Sequence, residues 1–222
     1  MDALILGAAP EPGGEAHYRG LLDAAAFVIA ADAAAEWAVS LGRVPDLAVG
    51  DFDSAEEGAP ERLEALGVEV VRHPEAKDAS DLDLALDEAR RRGSCRVTFA
   101  GVTSGRLDHT LASLGTLASA ADLDGALDEP SVAGWALAGR ASAPLSLRGP
   151  AGALVSIFAF GSTAEGVTLS GLRYPLREAT LREPSSLGLS NELTGGEATV
   201  TVATGRLLVL SAGHPAMRAA RC

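Results

Sequence analysis

Cysteine is scarce in this chain of 222 residues: there are two, Cys95 and Cys222. They fall into no C-x-x-C or His/Cys cluster, which excludes a structural zinc site and a dithiol redox motif. Basic residues are the second shortage. Lys and Arg number 18 against 30 Asp and Glu, a net charge of -12. No stretch forms a basic patch, and an acidic surface repels a phosphate backbone, so nucleic acid is excluded as a partner. An acidic protein can still bind a nucleoside triphosphate. It then needs a divalent cation between its carboxylates and the phosphates, and one or two placed basic side chains. Apolar runs of roughly 18 residues, long enough to cross a bilayer, are missing too, so no membrane contact is expected. The N-terminus, MDALILGAAPEPGGE, carries no positive leader before its short apolar run and reads as a first strand, not a signal peptide. These features point to a cytoplasmic, reducing setting. There is no Walker A pattern and no internal repeat. Apolar residues are abundant: 47% of the chain is hydrophobic, enough for the core of one large domain or two modest ones.

The first two-thirds of the chain alternate. Short apolar runs occupy 2–6, 27–30, 46–49, 68–71 and 96–100. Segments with helical spacing lie at 17–26, 33–41, 59–66, 80–92 and 106–120. Strands alternating with helices predict a mainly parallel sheet covered on both faces. Ligands of such sheets bind beyond the carboxyl ends of the strands. After about residue 122 the text turns rich in Gly, Ala, Pro and Ser, with one expected strand at 132–138. From about 144 it is all-β: ALVSIFAF, AEGVTLSGLRYPL and EATVTVATGRLLVL. In the last of these Val200 and Val202 alternate with Thr199 and Thr201, and a turn at Thr204-Gly205 leads into a second strand, a hairpin signal. A domain boundary is expected near 142.

Three loops at strand exits carry candidate chemistry. In GDFDS, Asp51 and Asp53 are two residues apart, and in extended chain both carboxylates point the same way. Together they make a hard oxygen site suited to Mg²⁺, although Asp and Ser are also common in plain turns. In KDASDLDLALDEARRRG, Ser80 and Asp83 read as a capping box, and Leu82, Ala85, Leu86 and Ala89 as the buried stripe. Asp87–Arg91 and Glu88–Arg92 are spaced as solvated-face pairs. That leaves Lys77, Asp78 and Asp81 as candidates for chemistry. In GVTSGRLDHTLASLG, Gly101 and Gly105 allow tight turns, the helix N-terminus offers N–H groups to phosphate, and Arg106 adds a cation with fork geometry. Asp108 is placed to orient Arg106, ligate metal or accept a proton, and His109 is read as structural. A fourth stretch, LGLSNELTGG, reads as a turn between strands, or as a polar rim in which Ser190 and Asn191 hydrogen-bond a heterocycle.

PDLAVGDFDS, KDASDLDLAL, GRLDHTLASL, GLRYPL and LSNELTGG occur in the order and spacing of the thiamine pyrophosphokinases, and over nearly the whole chain the sequence resembles that family. The resemblance implies an N-terminal mainly parallel α/β sandwich domain (residues 1–142, nucleotide and metal binding) followed by a C-terminal β-sandwich domain (143–222, thiamine binding and dimerisation). It implies a homodimer with sites between the N-terminal domain of one subunit and the C-terminal domain of the other. The implied reaction moves the β,γ-diphosphoryl group of ATP to the hydroxyl of thiamine, with Mg²⁺, giving thiamine diphosphate and AMP. By the same resemblance Asp51, Asp53 and Asp81 hold the metal. Asp32, Lys77 and Arg106 serve the ATP phosphates, Asp78 and Asp108 complete the polar site, and Ser190 and Asn191 contact the aminopyrimidine from the partner subunit. Either Asp78 or Asp108 is the candidate base.

The chain departs from the family where ADGGA is usual and ADAAAE stands at 31–36. If those glycines serve a positive φ or a close ligand approach, Ala33 and Ala34 carry a cost. The third loop has Thr103-Ser104 where the family is richer in glycine. Two alternatives follow: a diphosphokinase for another hydroxymethyl heterocycle such as a pterin, and a non-catalytic binding protein on a decayed copy of the fold. A metal-dependent hydrolase lacks an obvious water-activating histidine pair.

Overall fold

The computed structural model describes residues 1–53, 55–74, 78–139, 142–183 and 185–212. The chain divides into two compact units, Met1–Thr116 and Leu117–Cys222.

The first unit alternates strand and helix: β1 (Asp2–Ala9), α1 (Glu15–Ala24), β2 (Phe27–Ala31), α2 (Ala34–Ser40), β3 (Leu47–Gly50), α3 (Ala59–Ala65), β4 (Glu69–Arg72), α4 (Asp81–Arg91), β5 (Arg96–Val102) and α5 (Leu107–Ser119). The strands pair in the order β5-β1-β2-β3-β4, and each of these pairings is parallel. Strand side chains alternate between faces. Leu4, Leu6, Val28, Ala30 and Ala48 join Tyr18, Leu22, Ala34, Ala38 and Leu63 from α1, α2 and α3 in one core cluster. The intervening Ile5, Ile29, Leu47 and Val49 are buried as well, and α4 lies against β1, β2 and β3. Both faces are therefore covered, as continuous apolar strands require. From β1 the strands step outward to β4, and the chain then returns to place β5 on the other side of β1. The β1 and β5 exits thus diverge at a switch point, where such sheets open a crevice for ligand.

Glycines permit that crevice at two positions. A Cβ on Gly7 would stand 2.8 Å from the Gly101 carbonyl oxygen, and one on Gly101 would stand 2.7 Å from that of Gly7. Gly101 also has φ 68°. No side chain fits between β1 and β5 there.

The second unit is antiparallel. A 3-10 turn (Ala120–Leu123) precedes β6 (Ala126–Asp128), β7 (Val132–Ala138), β8 (Leu145–Gly149), β9 (Leu154–Ala159), β10 (Ala164–Ser170), β11 (Leu176–Leu181), β12 (Asn191–Glu192), β13 (Gly196–Thr201) and β14 (Arg206–Ala212). Its strands pair as β12-β9-β14-β7-β6 and as β11-β10-β13-β8. The inner faces of both layers feed one cluster that includes Trp135, Leu147, Ile157, Val167, Val200 and Val209. This is a β-sandwich, and the α/β-then-β architecture is the one expected.

Two details differ from expectation. The compact units divide at Thr116/Leu117, earlier than 142, because β7 ladders along β14 from Val132 to Ala138 and so belongs with the C-terminal strands. The turn at Thr204-Gly205 makes no hairpin. β13 pairs with β8 and β10, while β14 pairs with β7 and β9. Gly205, at φ 82°, instead carries the chain from one layer of the sandwich to the other. Local alternation fixes the face of each strand but not its partner.

Candidate active site

Asp32 follows the last residue of β2, and Asp51 follows the last residue of β3. Oxygens of Asp32, Asp51 and Asp53 all lie within 4.8 Å of one another. Asp32 is 8% exposed, Asp51 half-buried and Asp53 exposed, so the group grades from the interior outward. Its local cause is a turn. Asp51 Oδ1 accepts from the Asp53 N–H at 3.3 Å, and Phe52 between them has φ 61°. The two carboxylates come together through this reversal, not through the extended alternation expected. Asp32 also has positive φ, 51°, which an aspartate tolerates better than most residues. Its N–H donates to the Val49 carbonyl at 2.9 Å. A Cβ on Gly50 would stand 3.2 Å from the Asp32 Cα, a tight approach that glycine eases.

The alanines that replace the usual glycines after Asp32 carry no backbone strain. Ala33 has φ -58° and ψ -14°. Ala34 opens α2, and its methyl is buried in the core cluster. A helix start favours alanine over glycine. The positive φ in this stretch belongs to Asp32 itself. In the third loop, Gly101 and Gly105 have φ 68° and 83°. Glycine is thus kept where the backbone demands it.

The expected capping box holds. Ser80 Oγ accepts from the Asp83 N–H, and the Asp83 carboxylate accepts from the Ser80 N–H, each at 3.2 Å. Asp81 is the first residue of α4, and Asp78 lies exposed just before it. Asp81 is not among the three clustered carboxylates. Lys77 lies outside the described residues. Asp83 makes a further contact: its Oδ1 accepts from Thr116 Oγ1 at 2.6 Å, which ties the first turn of α4 to α5. Farther along α4, Asp87 pairs with Arg90, and Glu88 is buried beneath Arg91 and Arg92. The expected Glu88–Arg92 pair thus forms, but on a buried Glu88 and not on a solvated face, while Asp87 pairs with Arg90 in place of the expected Arg91.

At the start of α5, Arg106 grips Asp108 with both ends of its fork, Nε to Oδ1 at 3.2 Å and Nη2 to Oδ2 at 2.6 Å. This hydrogen bond lowers the Asp108 carboxyl from 3.8 to about 2. Both side chains are solvent-exposed, as is His109. Thr110 Oγ1 donates to the Thr103 carbonyl at 2.9 Å, pinning the loop to its helix. The Ser104 N–H donates to the Ala9 carbonyl at 3.1 Å, joining the β5 and β1 exits.

In the second unit, Asn191 is 3% exposed. Its Oδ1 accepts from the Tyr174 and Glu192 N–H groups, and its Nδ2 donates to the Tyr174 carbonyl. The amide therefore fastens the GLRYP loop to β12. Ser190 is exposed at φ 54°, and its N–H donates to Ser156 Oγ. Sequence reasoning missed the tie between the two stretches because nothing in their spacing, 17 residues, announces it.

Two family profiles match the chain. One, described as "Thiamin pyrophosphokinase, catalytic domain", covers residues 18–125. The other, "Thiamin pyrophosphokinase, vitamin B1 binding domain", covers 145–209. The chain belongs to the thiamine pyrophosphokinase family. It is an enzyme of the thiamine diphosphokinase type, with diphosphorylation of thiamine as its reaction. Among family relatives, the thiamine pyrophosphokinase of Bacillus subtilis (strain 168) is 28% identical over 172 residues, 76% of this chain and 79% of the relative. The crystal structure of a B. subtilis thiamine pyrophosphokinase matches with a TM-score of 0.79 at 24% identity, covering 96% of this chain and all of the other. That of Candida albicans matches at 0.73 and 13% identity, over 96% and 90%. At these identities the structural matches speak for the fold alone.

Proposed function

We propose that ATP is the diphosphoryl donor and that Mg²⁺ is held by Asp51 and Asp53 with Asp32. The observation that carries this is the convergence of three carboxylates on one sheet edge, with Asp32 itself and Phe52, between the other two, on backbone of positive φ. The donors fit the ion: Mg²⁺ takes hard oxygens, and three carboxylates would offer them. When bound, it neutralises phosphate charge and orients the chain of phosphates. Asp81, at the same edge on α4, is assigned to the metal–phosphate side.

The protein's own groups do the remaining work. Arg106 presents a guanidinium at the N-terminus of α5, where the helix N–H groups also favour anions. Asp108, held ionised by that guanidinium, keeps the fork oriented, which is its role in preference to that of base. Lys77, the chain's single lysine, supplies a second cation. Asp78 is the base. The thiamine hydroxyl oxygen bonds to the β-phosphorus, the bond from that phosphorus to the α–β bridging oxygen breaks, AMP leaves with that oxygen, and the hydroxyl proton passes to Asp78. Such a transfer needs positioning and charge stabilisation more than covalent help.

Residues 143–222 are assigned to thiamine binding and dimerisation, with the site completed by Ser190 and the loop that Asn191 holds, both from the partner subunit. No described helix is long and apolar enough to cross a membrane, and we place the reaction in the cytoplasm. The test is AMP formation from ATP and Mg²⁺ by the purified protein, with and without thiamine. Thiamine-dependent AMP with equal thiamine diphosphate is expected, and EDTA should abolish it. Thiamine diphosphate formed with ADP, or without metal, would reject the donor chemistry proposed here.

A further inference from the structure

The clustered carboxylates arrive on two separate segments, Asp32 after β2 and Asp51–Asp53 after β3. Their spacing depends on how those segments are held together. At the near end they are tied by the Asp32 N–H to Val49 bond and by the glycine contact at Gly50. At the far end a second tie exists. Glu36 lies one turn beyond Asp32, in α2. Its Oε2 accepts from the Glu56 N–H at 3.2 Å, and its Oε1 accepts from Arg62 Nη2. Arg62 Nη1 donates to the Glu57 carbonyl at 2.7 Å, and its Nη2 lies 3.3 Å from Glu56 Oε2. One guanidinium from α3 thus grips a side chain on the Asp32 segment and the backbone leaving the Asp51–Asp53 turn. A planar fork can satisfy both directions at once; an ammonium cannot hold both in fixed geometry.

We propose that Arg62, through Glu36, is a positioning residue for the divalent cation: the clasp sets the distance between Asp32 and the Asp51–Asp53 pair. This rests on the metal reading above. Arg62 is half-exposed and Glu56 largely so, and surface ion pairs contribute little to global stability. The effect is therefore expected in ion affinity and not in melting temperature. The sign is decisive. As a mere charge, Arg62 repels a cation, and removing it would tighten binding. As a clasp, removing it loosens the ligand set and weakens binding.

The experiment titrates Mn²⁺ into the full-length protein, with free aquo-ion read by electron paramagnetic resonance. Saturating α,β-methylene-ATP is present so that no transfer occurs. Arg62→Ala should raise the dissociation constant about tenfold, the scale seen when a group supporting a ligand is lost. Glu36→Gln should act in the same direction. The double variant should be no weaker than the poorer single, because both remove one device. Arg62→Lys should fall between wild type and Arg62→Ala. Amide exchange of the peptide spanning 51–58 should accelerate in Arg62→Ala while the rest of the first unit is unchanged. Unchanged or tighter Mn²⁺ binding, additive single effects, or unchanged exchange would each overturn the clasp. If wild type binds no more Mn²⁺ than Asp53→Asn does, the metal reading itself falls, and the inference with it.

Discussion

Asp32 and Phe52 have φ of 51° and 61°, in a region that side chains other than glycine seldom enter. Each costs on the order of 1 kcal/mol or more and persists only where the surroundings over-determine it. For Phe52 the surroundings are visible: its ring packs against the core cluster of the first unit. For Asp32 they are the Val49 carbonyl and the glycine behind it. The sequence made Asp51 and Asp53 legible as a pair of neighbouring carboxylates. It could not show that Asp32 joins them, because that depends on two adjacent strand ends and two left-handed residues. The Arg106–Asp108 pair carries a pH prediction. The folded pKa of Asp108 lies below the ordinary value, 3.8 falling to about 2. Any stability from the pair is present above 3.8 and lost as pH falls toward about 2. Asp108 is therefore ionised throughout the working range, and an acid limb in the rate profile must come from another carboxylate. Asp108→Asn should lower kcat/KM about a hundredfold by letting the Arg106 fork drift, with the acid limb unmoved. A shift of that limb in the variant would show that Asp108 titrates there and is not held by Arg106.

Among the elements, the start of α4 was the most readable. Ser80 and Asp83 are spaced as a capping box, and the box forms. The second use of Asp83 left no trace in the spacing, since Thr116 lies 33 residues away. The two ends of one carboxylate thus do different jobs: one closes the N-terminus of α4 and the other ties that turn to α5, which carries Asp108 and directly follows Arg106. Thr116 is 4% exposed, and replacing its hydroxyl by a methyl leaves the half-buried Asp83 Oδ1 without that donor. Thr116→Val should cost about 1–3 kcal/mol, read as a lower midpoint in denaturant with the slope unchanged. A loss below a few tenths would mean that water replaces the hydroxyl and that the two helices are not coupled through it. The β13–β14 turn teaches the opposite lesson. Thr-Gly between alternating runs suggested a hairpin, yet the two strands lie in different layers. A turn residue reports a reversal of the chain, while pairing is decided by which neighbours bury Val200 and Val209 in the sandwich core.

On the scale of the whole molecule, the change from alternating strands and helices to pure β text was legible, and the fold follows it. The boundary was less so, because β7 stands in Gly- and Ala-rich sequence but pairs with β14, about seventy residues on in the chain. The five motifs in order located the family, while composition alone left only an acidic α/β protein. The proposed assembly, a homodimer whose sites each draw on both subunits, has a direct test in subunit mixing. Asp53→Asn removes a proposed metal ligand in the first unit. Asn191→Ala removes the amide that holds the GLRYP loop in the second, and should raise KM for thiamine more than KM for ATP. Each homodimer is then defective at limiting thiamine. If the site joins the first unit of one subunit to the second unit of the other, a mixed dimer has one site bearing both defects and one bearing neither. Random reassortment of a two-fold dimer makes about half of the molecules mixed, so about a quarter of wild-type activity should return. If each site lies within one chain, every site in the mixture keeps a defect. No recovery after verified subunit exchange would then place the whole site within a single subunit.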